Sequence, residues 1–296
     1  MRNAFMEELV RLATLQERLA LIVGDLGYSV VEPFADRFPD RFINAGVAEQ
    51  NLLGLAAGMA SEGYHPFVYS IANFPTFRCA EQIRNDVDYH ALPVTIVAVG
   101  GGLAYGNLGY SHHAVQDYGL LRLLPRMLIA APGDPLEVRA CLRYLVAHPQ
   151  PSYLRLGKAG EAVLHTAPPE LEPGRWVPVV RGQDNPERTL LTTGAPLALA
   201  REWLSTPRYA GYGLQSLPLW GMACKPMQAA QVARHAEVVT VEDHLADGGF
   251  GSWLRESLEE AIPLMGRVRV RALHAEVCGR VGSQAFLNAC GGLGRT

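Results

Sequence analysis

Short apolar runs alternate with segments of helical periodicity along the first half of the chain. Some of these runs are rich in β-branched residues, and others end at a glycine. Short apolar runs of this kind are typical of the buried strands of parallel sheets. Predicted strands occupy residues 19–23, 42–44, 66–70, 93–99, 127–131 and 152–156. Predicted helices occupy residues 3–13, 47–59 and 78–89, and another begins after Asp134, a predicted N-cap. This alternation predicts a mostly parallel sheet with helices on both faces.

A proline-rich segment separates this pattern from a second one of the same kind. Prolines at 168, 169, 173 and 178 indicate a linker over residues 165–187. Beyond it, strands are predicted at 189–193, 212–217, 237–242 and 268–272, with helices at 198–203, 227–235 and 252–262. The sequence therefore predicts an α/β protein of two domains, residues 1–164 and residues 188–296.

Composition excludes several classes of function. The chain has 26 Lys plus Arg and 29 Asp plus Glu, a net charge of -3, which gives no basic surface for nucleic acid or an anionic membrane. Its 5 cysteines are an odd number without C-x-x-C spacing, so neither a zinc site nor a disulfide framework is expected. The early charges of Glu7, Glu8 and Arg11 are unlike a signal peptide. The apolar part of the uncharged stretch 91–109 is shorter than a membrane span. We therefore expect a cytoplasmic protein.

A long motif follows the second predicted strand. Residues 41–58 read RFINAGVAEQNLLGLAAG. This segment resembles the transketolase signature R-F-I-x-x-G-[VI]-A-E-Q-x-x-x-G-x-A-A-G. A looser form occurs in 1-deoxyxylulose-5-phosphate synthases and in the β subunits of 2-oxo acid dehydrogenases. Further matches follow in family order: RCAEQIRN at 78–85, SHHAVQD at 111–117, APGD at 131–134, VTVEDH at 239–244 and GGFGS at 248–252. The resemblance implies a pyrimidine-binding domain followed by a transketolase carboxy-terminal domain.

The resemblance also implies thiamine diphosphate as cofactor and assigns residues to it. Glu49 corresponds to the carboxylate that hydrogen-bonds N1′ of the aminopyrimidine and so favours loss of the C2 proton. Phe74 follows a segment that resembles the aromatic cofactor loop, and its ring would stack on the aminopyrimidine. Phe77 is the competing candidate, because the loop has no unique gap-free alignment.

The SHHAVQD segment supplies candidates for substrate contact. His112 aligns with the histidine that faces the reacting carbon, where an ordinary pKa near 6.5 suits proton transfer at neutral pH. For His113, a substrate contact and a solvated or capping role remain equally open. His112, His113 and Asp117 could together suggest a metal site, but the family match explains them without one.

The family's Mg²⁺-binding motif is not found in this chain. Relatives hold the diphosphate through Mg²⁺ at a G-D-G motif, whereas this sequence has Gly24-Asp25-Leu26 and Gly133-Asp134-Pro135. We therefore expect an amino-terminal, diphosphate-binding subunit as partner, Mg²⁺ held mainly by that partner, no metal site here, and an α2β2 assembly.

The donor site departs from the family pattern. The histidine and the acidic residue that contact donor hydroxyls fall on Gly100 and Leu108, and Tyr110 replaces a proline. The phosphate-binding arginine falls on Arg155, with Lys158 in reserve. These changes predict a less polar donor pocket. They favour a specialised two-carbon transfer or an acyloin-type condensation with a short 2-oxo acid such as pyruvate. Contacts supplied by the partner subunit would explain them equally well.

Three other functions compete with a ketol-transferring subunit. A 2-oxo acid dehydrogenase β subunit has the same domains, although SHHAVQD favours transketolase. A nicotinamide enzyme would need G-x-G-x-x-G, and the spacing of Gly100, Gly102 and Gly106 only approaches it. A non-catalytic scaffold is disfavoured because Glu49 and His112 are both present. The substrate, a sugar or a 2-oxo acid, is left open by the fold.

Overall fold

The computed structural model describes residues 1–183 and 187–294. Residues 184–186 of the predicted linker and residues 295–296 of the predicted second domain lie outside this description. The described residues form two sheets, both mostly parallel and both flanked by helices. This is the arrangement that the alternating sequence pattern predicts. The domain boundaries themselves remain a prediction.

The first sheet has seven strands in the order β10-β5-β6-β4-β3-β1-β2, where β10 (Leu219–Trp220) is a short antiparallel strand at one edge. Its parallel strands are β1 (Leu19–Val23), β2 (Phe42–Asn44), β3 (His65–Ile71), β4 (Thr95–Val99), β5 (Leu128–Ala130) and β6 (Ser152–Leu156). Every residue of β1, β4 and β6 is buried, which explains the nearly continuous apolar sequence of β1 and β4, whereas β6 also buries Ser152 and Arg155. The neighbouring strands β3 and β4 pair in parallel, and their pairing begins with Phe67 opposite Thr95.

Helices cover both faces of the first sheet. They are α1 (Arg2–Leu15), α2 (Glu32–Arg37), α3 (Glu49–Ser61), α4 (Phe74–Phe77), α5 (Ala80–Gln82), α6 (Asp117–Leu121) and α7 (Pro135–Ala147). Helices α1 and α7 contribute to one hydrophobic core, and α3 contributes to the other. As predicted, Asp134 caps α7, because its carboxylate accepts from Leu136 N at 2.9 Å and from Glu137 N at 2.7 Å.

The second sheet has five strands in the order β12-β11-β8-β9-β7. Its strands are β7 (Val177–Val180), β8 (Arg188–Thr192), β9 (Gly213–Ser216), β11 (Glu237–Leu245) and β12 (Val268–Leu273). The helices of this half are α8 (Pro196–Trp203), α9 (Gln228–Val232), α10 (Phe250–Glu256), α11 (Ile262–Met265) and α12 (Gln284–Asn288). In the described part of the chain, no helix has the length and apolar character needed to cross a membrane.

Three local features differ from the sequence-based expectation. Strand β7 lies inside the predicted linker and pairs antiparallel with β9 at the edge of the second sheet. Strand β10 (Leu219–Trp220) follows β9 in the chain but pairs antiparallel with β5 in the first sheet. The predicted helix at 78–89 is a turn of α-helix followed by a π-helix at Ile83–Asp88. Short antiparallel edge strands depend on a distant partner, so no local periodicity identifies them.

Candidate active site

The candidate residues gather at one edge of the first sheet. Glu49 follows β2, Phe74 follows β3, His112 follows β4, and Lys158 follows β6. These strands are parallel, so their carboxyl ends meet at the same edge. Open α/β sheets bind their ligands at this edge.

Glu49 is the first residue of α3 and is 6% exposed. The first turn of a helix is a favourable place for a negative charge. Arg78 Nη1 donates to Glu49 Oε1 at 2.8 Å, and both residues line a pocket of about 440 Å³. The carboxylate is thus buried, fixed at one oxygen, and next to an opening large enough for part of a ligand.

Arg78 connects Glu49 to the aromatic loop. Its guanidinium carbon lies 4.4 Å from the centroid of the Phe74 ring, a cation–π contact. The RCAEQIRN motif contains Arg78, but the sequence gives this residue no role. The motif predicted a helix, and only the tertiary contacts reveal that this side chain turns toward Glu49 and Phe74.

His112 continues the same row of contacts. Its imidazole lies edge-on to Phe74, with ring centroids 5.3 Å apart, and its Nδ1 is 3.0 Å from Ser111 Oγ. Burial, and then the neighbouring His113, lower the pKa of His112 below its usual value. A neutral imidazole at this position can accept a proton near neutral pH.

Both aromatic candidates lie beside a second pocket of about 400 Å³, lined by Asn73, Phe74, Phe77, Arg78, Tyr110, Ser111 and Gln116. Phe74 touches both His112 and Arg78, whereas Phe77 is 50% exposed. Four large apolar side chains that line these pockets, or lie within two residues of a lining residue in the sequence, are exposed, and we call them the apolar rim: Val47, Phe77, Leu108 and Tyr110.

The structure places His113 away from this row. Its side chain is fully buried, and its Nε2 lies 3.4 Å from the carbonyl oxygen of Gly106. Its ring faces the loop that follows β4, with Tyr110 against it at 6.2 Å between centroids. A direct substrate contact by His113 therefore has no support in the geometry.

Arg155 does not have the position that phosphate binding would require. It is 2% exposed, and it donates from Nε to Asp117 Oδ2 at 2.7 Å and from Nη1 to Asp243 Oδ1 at 2.6 Å. Its Nη2 donates to the Ala114 carbonyl oxygen at 2.7 Å. Burial opposes the charge, but the two carboxylates raise the pKa of Arg155 well above its usual value. Arg155 instead ties β6 to α6 and to β11 of the second sheet, because buried charges need such pairing.

Asp117, which the sequence suggested as a metal ligand beside His112 and His113, belongs to the same buried network as Arg155. Its Oδ2 also accepts from the hydroxyl of Tyr153 at 2.6 Å. Within residues 1–183 and 187–294, no group of three or more His, Cys, Asp or Glu side chains is arranged to hold a metal ion.

The VTVEDH and GGFGS motifs also have structural roles. Both Glu242 oxygens accept backbone N–H groups at the start of α10, from Phe250 at 2.5 Å and from Gly251 at 2.7 Å. Burial raises the pKa of Glu242 to about 8, although these two bonds oppose the shift. His244 stacks on Tyr118 of the first half, with centroids 5.3 Å apart. Asp243 and His244 therefore connect the VTVEDH motif to the first half of the chain, whereas Glu242 fixes the start of α10 within the second half.

The far end of the row lies beside Gly100. Tyr105 contacts His112, with ring centroids 6.4 Å apart, and Lys158 Nζ lies 5.1 Å from the Tyr105 ring centroid. Lys158 is exposed at the edge of a cavity of about 710 Å³ between the two halves of the chain. The row thus runs from Glu49 through Phe74 and His112 to Tyr105 and Lys158.

The first half of the chain is similar to a known protein family. Residues 1–160 match the family described as transketolase, pyrimidine binding domain. The chain belongs to the transketolase family. It is a subunit of a transketolase-like transferase, and thiamine diphosphate is the cofactor on which the family depends.

Relatives cover nearly the whole of this transketolase-family chain. An apulose-4-phosphate transketolase subunit of Phocaeicola vulgatus is 33% identical over 270 residues, 88% of this chain and 83% of that protein. The 6-deoxy-6-sulfo-D-fructose transketolase subunit SqwH of a Clostridium species is 31% identical over 94% of this chain and 86% of that protein. A solved structure described as a split gene transketolase, inactive β4 tetramer, matches with a TM-score of 0.82 and 30% identity. That match covers 99% of this chain and 93% of the other, and it confirms the predicted fold class.

Proposed function

We propose that the chain is the pyrimidine-binding subunit of a two-subunit transketolase that transfers a ketol unit from a phosphorylated or otherwise anionic ketose to an aldehyde. The observation that carries this proposal is that Arg78 contacts both Glu49 and Phe74, and that Phe74 in turn contacts His112. The two relatives named as transketolase subunits support it, since both act on sugars that carry an anionic group by their names.

The residues of the row fit the aminopyrimidine half of thiamine diphosphate. Glu49 offers a buried carboxylate to the ring nitrogen N1′, and Phe74 offers an aromatic face for stacking. When bound, the cofactor supplies the nucleophilic carbon that takes up the two-carbon unit and passes it on. His112, with its lowered pKa, would move protons to and from the substrate hydroxyls.

A partner subunit would complete the site. Two residues of the apolar rim, Phe77 and Tyr110, line the second pocket, and Val47 of the rim is 73% exposed next to Ala48, which lines the first. Exposed apolar patches of this kind are typical of interfaces between proteins. We infer that the diphosphate-binding subunit covers this rim, holds Mg²⁺ and the diphosphate, and assembles with this chain as α2β2. All five cysteines are free thiols, which fits the reducing cytoplasm that we propose as its location.

Lys158 replaces Arg155 as the proposed ligand of the donor's anionic group. Its ammonium group is exposed at the end of the row opposite Glu49, beside Tyr105. An ammonium acts as a point charge and does not require the planar geometry that a guanidinium would.

A donor assay of the reconstituted complex tests the proposed reaction. With partner subunit, thiamine diphosphate and Mg²⁺, we expect turnover of a phosphorylated ketose such as xylulose 5-phosphate and none of pyruvate. The reason is that Lys158 and Tyr105 provide contacts beyond the reacting carbon that pyruvate cannot use. Coupled assays for the released aldose phosphate and for acyloin products measure the two activities. Turnover of pyruvate alone would favour the alternative, an acyloin-forming or decarboxylating enzyme.

Arg78 makes both contacts that the aminopyrimidine would make. Its guanidinium is flat, donates to Glu49 and lies over Phe74, and the side chain is 52% exposed. Cofactor binding would therefore have to displace it. Substituting Arg78→Ala should lower the apparent Kd of the complex for thiamine diphosphate about three- to tenfold. A change of this size corresponds to the free energy that one exposed ion pair and one cation–π contact typically contribute.

Calorimetric titration of the complex with cofactor measures this change. Arg84→Ala is the matched control, since Arg84 is exposed on the same segment and bonds to Asn85 instead of Glu49. A weaker cofactor affinity in Arg78→Ala than in Arg84→Ala would mean that Arg78 remains in place and helps to bind the cofactor.

A further inference from the structure

Gly100 does not leave an empty space in the donor site. This residue follows β4 and has φ +84°, a conformation that favours glycine. A Cβ atom at Gly100 would lie 2.1 Å from the ring of Tyr105. The ring of Tyr105 therefore occupies the volume that a side chain at position 100 would need. The sequence around Gly100 suggests that the site lacks a side chain at this point. In the structure, the phenol ring of Tyr105, five positions further along the chain, lies there instead.

The ring of Tyr105 lies near both groups that the proposed function assigns to the ends of a donor. Its centroid is 6.4 Å from that of His112, which faces the reacting carbon in the proposed function, and 5.1 Å from Lys158 Nζ. Burial raises the pKa of Tyr105, and Arg2 opposes this only in part, so the phenol keeps its proton at neutral pH. A protonated phenol can both donate to and accept from a sugar hydroxyl.

We propose that Tyr105 is a donor-specificity residue, whose hydroxyl recognises the hydroxyls that lie beyond the reacting carbon of a ketose. The proposal rests on the proposed ketol transfer and deepens it, because it assigns the donor class to polyhydroxylated ketoses. A short 2-oxo acid such as pyruvate carries no hydroxylated tail for this hydroxyl to recognise. The expectation of a less polar donor pocket, based on Gly100, Leu108 and Tyr110, thereby loses its basis at position 100 and keeps it at position 108.

The test compares a donor with a hydroxylated tail and a donor without one. Tyr105→Phe removes the hydroxyl and retains the ring that fills the space beside Gly100. In the reconstituted complex we expect kcat/KM for xylulose 5-phosphate to fall about ten- to a hundredfold. With hydroxypyruvate, which carries the ketol unit but no hydroxylated tail, kcat/KM should stay within about twofold, since the lost contact is never made. Calorimetric binding of xylitol 5-phosphate, an unreactive polyol, should weaken by a similar factor as xylulose 5-phosphate turnover.

Tyr89→Phe is the matched control, because Tyr89 is 72% exposed and packs only edge-on against His90 among the aromatic contacts. It should leave both donors unaffected. An equal loss with both donors in Tyr105→Phe would assign Tyr105 a structural role and overturn the proposal, as would unchanged kinetics and unchanged polyol binding. Failure of the proposed function is a different result, since the unmodified complex would then transfer no ketol unit from either donor.

Discussion

Replacing Glu49 with Gln should slow deuterium exchange at C2 of bound thiamine diphosphate by at least about 100-fold in the reconstituted complex. A positioned acid–base group contributes about this factor or more, and Gln cannot hold a charge-assisted bond to N1′. The substitution keeps the size of the side chain and its place at the start of α3, so the fold should persist. Exchange is followed by acid quenching and NMR of the released cofactor.

Glu62→Gln is the control for this result. Glu62 follows the last residue of the same helix and is exposed, so the loss of its charge should change neither exchange nor cofactor binding. An exchange rate in Glu49→Gln equal to that of Glu62→Gln would remove Glu49 from its proposed role.

The chain without its partner should bind thiamine diphosphate and Mg²⁺ more weakly than about 1 mM and show no ketol transfer. The row of residues from Glu49 to His112 fits only the aminopyrimidine half of the cofactor. Charge-assisted contacts to the diphosphate and the oxygen ligands of Mg²⁺ would come from the other subunit. Calorimetry with and without the partner measures the difference, which we expect to exceed about 100-fold. Tight binding by the isolated chain would refute the two-subunit proposal.

The apolar rim provides a way to prevent assembly without touching the core. Val47→Asp places a charge where the partner is proposed to pack, so the α2β2 species should be lost in analytical ultracentrifugation while the chain stays folded. Val163→Asp is the matched control, because Val163 is 60% exposed and lies outside the rim. Assembly that is unaffected by Val47→Asp would mean that the partner binds elsewhere.

Local pattern predicts the regular elements of this protein well because each is marked by its own residues. The strand limits 19–23, 42–44 and 152–156 agree with the structure, as does the Asp134 cap. Strands buried on both faces produce continuous apolar runs, and a capping side chain lies next to the helix that it starts. The short strands β7 and β10 have no such mark, since their pairing partners are distant in the sequence.

The sequence by itself determined the family and the α/β class, and it predicts Glu49 and His112 as site residues, because these depend on contiguous motifs and on residue type. Tertiary structure alone decided which side chains face the site. It buried Arg155 between two carboxylates, brought Arg78 onto Glu49 and Phe74, and moved Tyr105 into the space beside Gly100. Each of these outcomes depends on contacts between strand ends that are far apart in the chain. The sequence alone does not distinguish a charged or aromatic residue that binds a ligand from one that stabilises the fold.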